Sequence, residues 1–383
     1  MKYYIIAGEA SGDLHGSNLI REIKKKDGDA EIRGWGGSLM QETGAEIVKD
    51  YRDLAFMGFT EVIRNLPTIL KNIKFCKSDI SKFKPDVVIF IDYPGFNLRI
   101  AEWARKMGYK TIYYISPQVW AWKESRVKSI RRNIDKMLVI LPFEKAFFQK
   151  WNYETSYVGH PLVEVIERFK VSPVANRLPV IYMTAGKPIQ PSLPLIALLP
   201  GSRKQEILKK LPVMLEASRA FPDYQFVVAE APGQDSTFYD EILKYYPQAA
   251  RVRNQTYALL MHARAACVTS GTATLETALF SVPEVICYKG SSVSYQIAKR
   301  LIKVKYISLV NLIMDKPVVK ELIQDEMNVE NIVTELKKLV SDDDTRKRIQ
   351  KDYADLRALL SQGGNASEKA AQLIVNYVMK NKK

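Results

Sequence analysis

The chain has 383 residues, more than one compact domain usually holds, and its 47% hydrophobic fraction is typical of a globular protein with packed cores. Its 57 lysines and arginines exceed its 42 aspartates and glutamates, and the formal net charge of +15 favours anionic partners. The three cysteines have no metal-ligand or redox-motif spacing, and no signal peptide pattern is visible, so a reduced, cytoplasmic chain is predicted. No apolar run reaches ~18 residues, so no spanning helix is predicted.

Strands and helices alternate through the first half of the chain. An apolar strand, Tyr3 to Ala7, leads through a glycine-bounded turn into an amphipathic helix, Leu14 to Lys26, and opens a βαβ unit. Further candidate strands, each beside a stretch of helical periodicity, are Val87 to Ile91, Thr111 to Ile115, Met137 to Leu141 and Thr155 to Val158. This order predicts a doubly wound sheet.

The first turn, Ala7 to Gly16, reads AGEASGDLHG. It lacks the GxGxxG spacing, so it does not predict a dinucleotide site. Its carboxylates suit sugar hydroxyls or proton transfer better than a pyrophosphate. Glu9 is therefore a candidate base, and the imidazole of His15 is another. Two structural alternatives remain: Asp13 is interpreted as the N-cap of the helix, and His15 can equally be a half-buried polar contact.

The stretch from Leu54 to Phe75 combines apolar side chains with scattered lysine and arginine. Its candidate membrane or acyl-chain contacts are Phe56, Met57, Phe59, Val62, Ile63, Leu66, Ile69 and Leu70. The stretch is too polar and too interrupted by proline to span a bilayer, but it suits the membrane interface. An ordinary helix that faces the core is the alternative.

Asp92 follows the apolar strand VVIFI and opens the sequence IDYPGFN. Open α/β sheets bind their ligands at the carboxyl ends of their strands. Partial desolvation there raises the pKa of a carboxyl group and makes it a better base. The alternative is an aspartate that caps the turn before Pro94.

Prolines interrupt the pattern between Phe169 and Pro194, where only Val180 to Thr184 resembles a short strand. Beyond this break, the alternation resumes with the candidate strands Leu195 to Leu199, Gln225 to Ala229, Cys267 to Thr269 and Glu284 to Tyr288. The two halves predict two Rossmann-like, doubly wound domains that face each other across a cleft. The expected divisions are residues 1–168, a linker at 169–194, a second domain at 195–360, and a C-terminal helix at 361–383 that packs back on the first domain.

The turn after Leu195 to Leu199 reads PGSR and leads into a helix. A strand that feeds a helix N-terminus leaves free backbone N–H groups, Gly201 permits close approach, and Ser202 and Arg203 add donors. Arginine suits a diphosphate because its planar fork binds two phosphate oxygens. In the alternative, Ser202 caps the helix and Arg203 pairs with Glu206.

A second turn of this kind occurs at Ala266 to Glu276, which reads ACVTSGTATLE. Ser270, Gly271 and Thr272 form the turn, and Glu276 lies one turn into the helix. Two turns suited to anions in one half of the chain indicate a nucleotide site.

Two other classes of site are disfavoured. Asp-x-Asp sequences, which bind a metal in some enzymes, occur at Asp27 to Asp29 and at Asp342 to Asp344. The first is typical of a turn and the second of a helix N-terminus, so no metal is expected. The basic charge and three tryptophans would suit nucleic acid, yet no RNA- or DNA-binding signature accompanies them.

Several motifs, taken in order, resemble those of the lipid-A-disaccharide synthase family. They are AGEASGDLHG, FMGFTEV, IDYPGFN, ISPQVWAWK, LPFE, YVGHPL, LPGSRKQEI, TSGTATLE and VNLIMDKPVVKELIQ. The resemblance covers nearly the whole chain and implies a glycosyltransferase of the two-Rossmann-domain type called GT-B. It also implies work at the cytoplasmic face of the inner membrane of Gram-negative bacteria, with anionic lipid as a partner.

The resemblance further implies the reaction and its participants. UDP-2,3-diacylglucosamine and 2,3-diacylglucosamine-1-phosphate would give UDP and a β-1,6-linked disaccharide, without a cofactor and in a monomer or homodimer. The base is assigned to Asp92, with Glu9 and His15 as the other candidates. Acceptor contacts are assigned to Ser11, Asn97 and Gln118, and further donor contacts to Asn311, Glu321 and Gln324. Other UDP-sugar enzymes of this architecture, a 2-epimerase or a peptidoglycan-type transferase, are the alternatives.

Overall fold

The computed structural model describes residues 1–54, 66–175, 177–183, 188–189, 192–291, 295 and 304–381. The chain forms two compact units, Met1–Pro161 with Leu360–Lys383 and Leu162–Leu359. Their boundary precedes residues 169–194, the linker predicted from the prolines.

The first unit is built on a parallel sheet. Its strands are β1 (Lys2–Ala7), β2 (Glu31–Gly36), β3 (Glu46–Asp50), β4 (Val87–Ile91), β5 (Lys110–Tyr114), β6 (Lys136–Val139) and β7 (Ser156–Tyr157). They are arranged in the order β3-β2-β1-β4-β5-β6-β7. Every residue of β4 is fully buried, which is why this strand is a continuous apolar run.

Helices connect these strands. They are α1 (Ala10–Lys26), α2 (Ser38–Glu42), α3 (Leu66–Phe83), α4 (Pro94–Lys106), α5 (Val119–Trp122), α6 (Val127–Asn133) and α7 (Glu144–Gln149). Short 3-10 turns add Tyr51–Leu54 and Glu124–Arg126.

The end of the chain returns to the first unit. The backbone carbonyl of Leu360 accepts hydrogen bonds from Tyr157 Oη at 3.2 Å and from the His160 amide at 3.3 Å. A Cβ atom on Gly363 would lie 2.1 Å from the Gly159 nitrogen, so only glycine allows this approach. The last helix, Ala366–Lys380, packs against α1.

The second unit contains a second sheet that is mainly parallel. Its strands are β8 (Ile181–Met183), β9 (Pro188–Ile189), β10 (Leu195–Leu199), β11 (Gln225–Ala229), β12 (Ala250–Val252), β13 (Ala263–Thr269), β14 (Glu284–Tyr288) and β15 (Glu321–Ile323). They follow the order β15-β14-β13-β10-β11-β12-β8-β9. The stretch Val180 to Thr184 does contribute a strand, β8, which pairs antiparallel with β12 and β9.

The described helices of this unit precede, connect and follow the strands. They are α8 (Pro161–Lys170), α9 (Lys204–Ala217), α10 (Ser236–Leu243), α11 (Thr256–His262), α12 (Thr272–Leu279), α13 (Leu309–Met314), α14 (Val329–Ser341) and α15 (Asp343–Ser361), and the helix at Ala366–Lys380 is α16. The 3-10 turns are Ser218–Ala220 and Gln324–Glu326.

The prediction of two Rossmann-like, doubly wound sheets is confirmed. Each predicted strand corresponds to a strand of the structure within two residues at either end, except that β13 begins four residues before the predicted Cys267. The strands β2, β3, β9, β12 and β15 were not predicted from the sequence. Among the described residues, no helix has both the length and the apolar character needed to cross a membrane.

Candidate active site

The first candidate site lies where β1 and β4 run side by side in the first sheet. Ala7 pairs with Ile91, so the turns that follow these two residues are neighbours at the carboxyl edge. The strand order reverses direction between β1 and β4, and α/β sheets bind their ligands at such a switch point.

Asp92 occupies the turn after β4 in an unusual backbone conformation. Its φ is +45° and that of Tyr93 is +49°, both in the left-handed region that most residues avoid. Two side chains hold the Asp92 carbonyl: Tyr113 Oη donates to it at 2.5 Å and Asn97 Nδ2 at 2.8 Å. The surrounding structure therefore imposes the position of this aspartate.

The electrostatic surroundings of Asp92 favour its protonated form. Burial raises the pKa of its carboxyl group to about 7, with the negative charge of Glu9 as the next cause and that of Glu144 as a weaker one. A hydrogen bond from the Tyr93 amide opposes this shift. At neutral pH both protonation states are populated, which is the condition for an efficient general base.

The other candidate bases lie on α1. Glu9 is the N-cap residue of this helix and is half-buried, while Ser11 lies in the first turn. His15 is only 6% exposed, and burial lowers the pKa of its imidazole to about 4. Burial and the neighbouring His15 likewise lower the pKa of His160 to about 3. His15 is thus neutral at pH 7 and a weaker base than Asp92.

Asp13 caps a helix, but not the helix that the sequence suggested. Its carboxylate accepts hydrogen bonds from the amides of Gly37 at 2.8 Å, Met40 at 3.0 Å and Leu39 at 3.2 Å. These amides form the start of α2, so Asp13 joins α1 to the next helix.

The predicted acceptor contacts have different surroundings. Asn97 has no exposed surface, and its amide group donates to the backbone carbonyls of Ile6, Ile91 and Asp92. Asn97 therefore holds the Asp92 turn. Gln118 is exposed at the start of α5.

Glu144 is a buried carboxylate that sequence reasoning did not select, although its motif LPFE was recognised. It accepts hydrogen bonds from Ser116 Oγ, from Trp120 Nε1 at 3.1 Å, and from the amides of Ile140 at 3.2 Å and Leu141 at 2.9 Å. Burial raises the pKa of this carboxyl group, and these hydrogen bonds oppose the shift. Glu144 thereby ties the loop after β5 to the loop after β6.

Of the predicted membrane stretch, the structure describes Leu54 and the residues from Leu66 onward. Phe56, Met57, Phe59, Val62 and Ile63 lie outside the described residues.

On α3, three apolar side chains are exposed: Leu66 at 45%, Leu70 at 54% and Phe75 at 44%. Ile69 is half-buried, and Lys71 and Lys74 are exposed beside them. Further along α3, Cys76 and Ile80 pack into the core.

The second candidate site lies at the switch point of the second sheet, where β10 is next to β13. Leu199 pairs with Val268, so the PGSR turn and the Ser270 turn are neighbours. Gly201 has a φ of +111°, and a Cβ atom there would lie 2.8 Å from Glu206 Oε2. This position therefore requires glycine.

Arg203 is the N-cap residue of α9, so Ser202 precedes the cap position. The Arg203 side chain is 56% exposed and pairs with Glu206 at 3.2 Å. This pair is the one that the structural alternative predicted. Because the guanidinium group remains largely exposed at a helix start, it is accessible to an anion as well.

The Ser270 turn is held by a hydrogen bond to the loop that contains Ile307. Ser270 Oγ donates to the Ile307 carbonyl at 2.6 Å, and Gly271 is the N-cap residue of α12 with a φ of +147°. Thr272 is exposed at the start of the helix. Glu276 accepts a hydrogen bond from Tyr257 Oη at 2.8 Å, and burial raises the pKa of its carboxyl group.

Asn311, Glu321 and Gln324 form hydrogen bonds within the second unit. Glu321 accepts from the amides of Ile307 at 3.1 Å and Ser308 at 2.9 Å and from Asn311 Nδ2 at 3.0 Å.

Asn311 Nδ2 also donates to the Val319 carbonyl at 2.9 Å, and Gln324 Oε1 accepts from the Gly290 amide at 2.7 Å. Asn311 is only 1% exposed. Asn311 and Glu321 therefore hold the loop on which Ser270 rests.

A cavity of about 490 Å³ in the second unit is lined in part by Asn311 and Glu321. None of its lining residues belongs to the turns at 200–203 or 270–272. The two turns and this cavity are thus separate features of the unit.

The Asp-x-Asp carboxylates serve structural contacts. Asp27 Oδ2 accepts from the terminal amine of Met1 and from Tyr3 Oη, both at 2.9 Å. Asp342 accepts from the amides of Asp344 at 3.0 Å and Thr345 at 3.1 Å at the start of α15. In the described part of the chain, no group of three or more His, Cys, Asp and Glu residues could hold a metal ion.

Comparison with known proteins extends these observations. The sequence model of a family described as lipid-A-disaccharide synthetase matches residues 3–375. Lipid-A-disaccharide synthase of Syntrophus aciditrophicus is 40% identical over 98% of this chain and 97% of its own. The enzyme of the same name from Geobacter metallireducens is 38% identical over the same shares of the two chains.

Solved structures share the fold at low sequence identity. UDP-GlcNAc 2-epimerase from Neisseria meningitidis has a TM-score of 0.68 at 12% identity, with both chains fully covered. CalG4, the calicheamicin glycosyltransferase, has a TM-score of 0.60 at 15% identity over 100% of this chain and 99% of its own. These structures support the GT-B architecture.

Proposed function

This chain belongs to the lipid-A-disaccharide synthase family, glycosyltransferases of lipid A synthesis, and we propose its substrates and mechanism. The donor is UDP-2,3-diacylglucosamine, and the acceptor is 2,3-diacylglucosamine-1-phosphate. The products are UDP and the β-1,6-linked disaccharide 1-phosphate. Because the donor sugar is α-linked to its diphosphate, a β product requires inversion by a single displacement with one base.

Asp92 is that base. Its carboxylate takes the proton from the 6-hydroxyl of the acceptor while the hydroxyl oxygen attacks C1 of the donor sugar. The bond between C1 and the diphosphate oxygen breaks, and its electron pair leaves with UDP. The observation that carries this assignment is the place of Asp92, held by Asn97 and Tyr113 at the switch point between β1 and β4, and burial there raises the pKa of its carboxyl group to about 7.

The leaving diphosphate is bound by the two turns of the second unit. Its negative charge grows in the transition state, so fixed donors that meet it there lower the barrier. Arg203 and the backbone amides near Ser202 and Thr272 are such donors, and each turn opens a helix. Glu276 binds the ribose hydroxyls. The chemistry needs no cofactor.

The exposed apolar side chains of α3 dock on the cytoplasmic face of the inner membrane. Leu66 and Leu70, which lie on one side of the helix, would enter the interface, and Lys71 and Lys74 would meet anionic headgroups. Both proposed substrates carry acyl chains, so they reside in that membrane. The net charge of +15 also favours binding to an anionic membrane surface.

An assay of UDP release tests the proposed function. The enzyme is incubated with UDP-2,3-diacylglucosamine in mixed micelles, with or without 2,3-diacylglucosamine-1-phosphate. UDP and the disaccharide 1-phosphate are expected in equal amounts, and only with the acceptor. Conversion of UDP-GlcNAc without any acceptor would instead identify a 2-epimerase.

A further inference from the structure

Lys210, on α9, is a lysine in the interior of the second unit. Its residue surface is only 1% exposed, whereas its neighbour Lys209 lies on the surface. A buried ammonium group loses its hydration, and proteins rarely bury lysine without a charged partner. The position of this charge therefore requires an explanation.

The Lys210 ammonium group connects the two turns of the donor site. Its Nζ donates to Thr269 Oγ1, at the residue directly before the Ser270 turn, and to Glu206 Oε2 at 3.4 Å. The other oxygen of Glu206 accepts from Arg203 at 3.2 Å. One hydrogen-bonded chain thus joins Arg203 to the end of β13.

The same ammonium group lies next to the backbone of the PGSR turn. A Cβ atom placed on Gly201 would be 3.5 Å from Lys210 Nζ. Arg203 and Lys210 share one carboxylate, that of Glu206, so this cluster of three charges has a net positive charge. Burial lowers the pKa of Lys210, and the charge of Glu206 opposes that shift.

We propose that Lys210 is a positioning residue for the diphosphate of the nucleotide donor. It holds the two turns at a fixed separation, orients Arg203 through Glu206, and adds positive charge behind the amides that receive the phosphates. The inference rests on the proposed donor site and names a residue of that site outside both turns.

The test compares Lys210→Met with Lys209→Met in binding UDP and uridine. Methionine has a similar length and no charge, and Lys209 loses the same charge from the adjacent surface. Calorimetry is expected to show UDP affinity lower by on the order of tenfold for Lys210→Met, since a unit charge several ångströms from a phosphate contributes that much. Uridine, which lacks phosphates, should bind Lys210→Met as it binds the unmodified protein.

Uridine binding separates this role from a structural one. Lys210→Met leaves the buried Thr269 hydroxyl and the Glu206 carboxylate without this partner, so its Tm should fall. A general loss of structure would weaken the binding of uridine and UDP alike, whereas loss of the phosphate contact weakens the binding of UDP alone. If that variant does not fold, Lys210→Gln retains a donor for Thr269 without the charge.

The outcomes distinguish the inference from the proposed function. Equal loss of UDP and uridine affinity, or no loss for either Lys210 variant while Arg203→Ala weakens UDP binding, overturns the inference alone. If Arg203→Ala and Lys210→Met both bind UDP normally, the donor site itself is misplaced.

Discussion

Asn97 donates a hydrogen bond from its fully buried amide to the backbone carbonyl of Asp92 at 2.8 Å. Tyr113, also buried, donates to the same carbonyl from the neighbouring strand β5. The two side chains hold the left-handed turn from the interior, and Asp92 as a whole residue is half-buried. A base held in this way does not have to be reoriented when the substrate arrives.

Replacement of Asp92 by asparagine should abolish most of the turnover. The amide is nearly isosteric but takes up no proton, and general-base assistance typically contributes ~10²–10⁴-fold, so kcat should fall by about that factor. UDP affinity should persist because the diphosphate contacts belong to the second unit. Near-normal turnover of Asp92→Asn, with loss in His15→Ala, would place the base on α1.

The pH dependence of kcat should change when the negative charge of Glu9 is removed. Asp92 must be deprotonated to act as a base, so activity is present above its pKa of about 7 and declines as the pH falls through it. Glu9→Gln removes a negative charge that raises this pKa, so the acid limb of the kcat profile should move to lower pH. Loss of turnover at every pH would instead identify Glu9 as the base.

Arg203→Ala should weaken UDP binding by about 10–100-fold, because a hydrogen bond to a charged group contributes ~1.5–3 kcal/mol. The lower part of that range is expected, since the arginine side chain is 56% exposed to water. Isothermal calorimetry measures the effect, and Lys209→Ala, on the exposed face of α9, is the matched control. Equal affinities of the two variants would refute the assignment.

Glu144→Ala should destabilise the first unit. The change removes the acceptor for Ser116, for Trp120 and for two backbone amides, and each buried donor left unsatisfied costs about 1–3 kcal/mol unless water replaces the carboxylate. Chemical denaturation would measure the free energy of unfolding, with Glu154→Ala at an exposed site as the control. A loss no larger than that of the control would show that the network is dispensable.

Serine at Leu66 and Leu70 should reduce association with vesicles that contain anionic lipid. Full burial of a leucine contributes about 1.5–3 kcal/mol, so each replacement should lower the partition coefficient by roughly tenfold or more. Met107→Ser is the control, because Met107 is a 59% exposed apolar residue of the same unit, directly after the end of α4. Unchanged partitioning of the Leu66 and Leu70 variants would argue against docking through α3.

The sequence by itself determined the strands that carry the sites. A buried parallel strand is apolar on both faces, so Val87 to Ile91 and Leu195 to Leu199 are visible as continuous runs, and the residue after each run marks the carboxyl edge. The strand β2 was missed because it contains Arg33 and two glycines. A Cβ atom on Gly34 would lie 1.9 Å from the Ile5 carbonyl oxygen, a restriction that exists only once the strands are paired.

Only the tertiary structure decided which polar residues support each site. Lys210 meets Thr269 across 59 residues of chain, and Glu144 meets Ser116 across 28. A lysine on a helix and a glutamate after a strand are ordinary in a sequence, since periodicity predicts the face of an element but not the partner that packs against it. The partners of these side chains come from separate strands and loops, and folding alone brings them together.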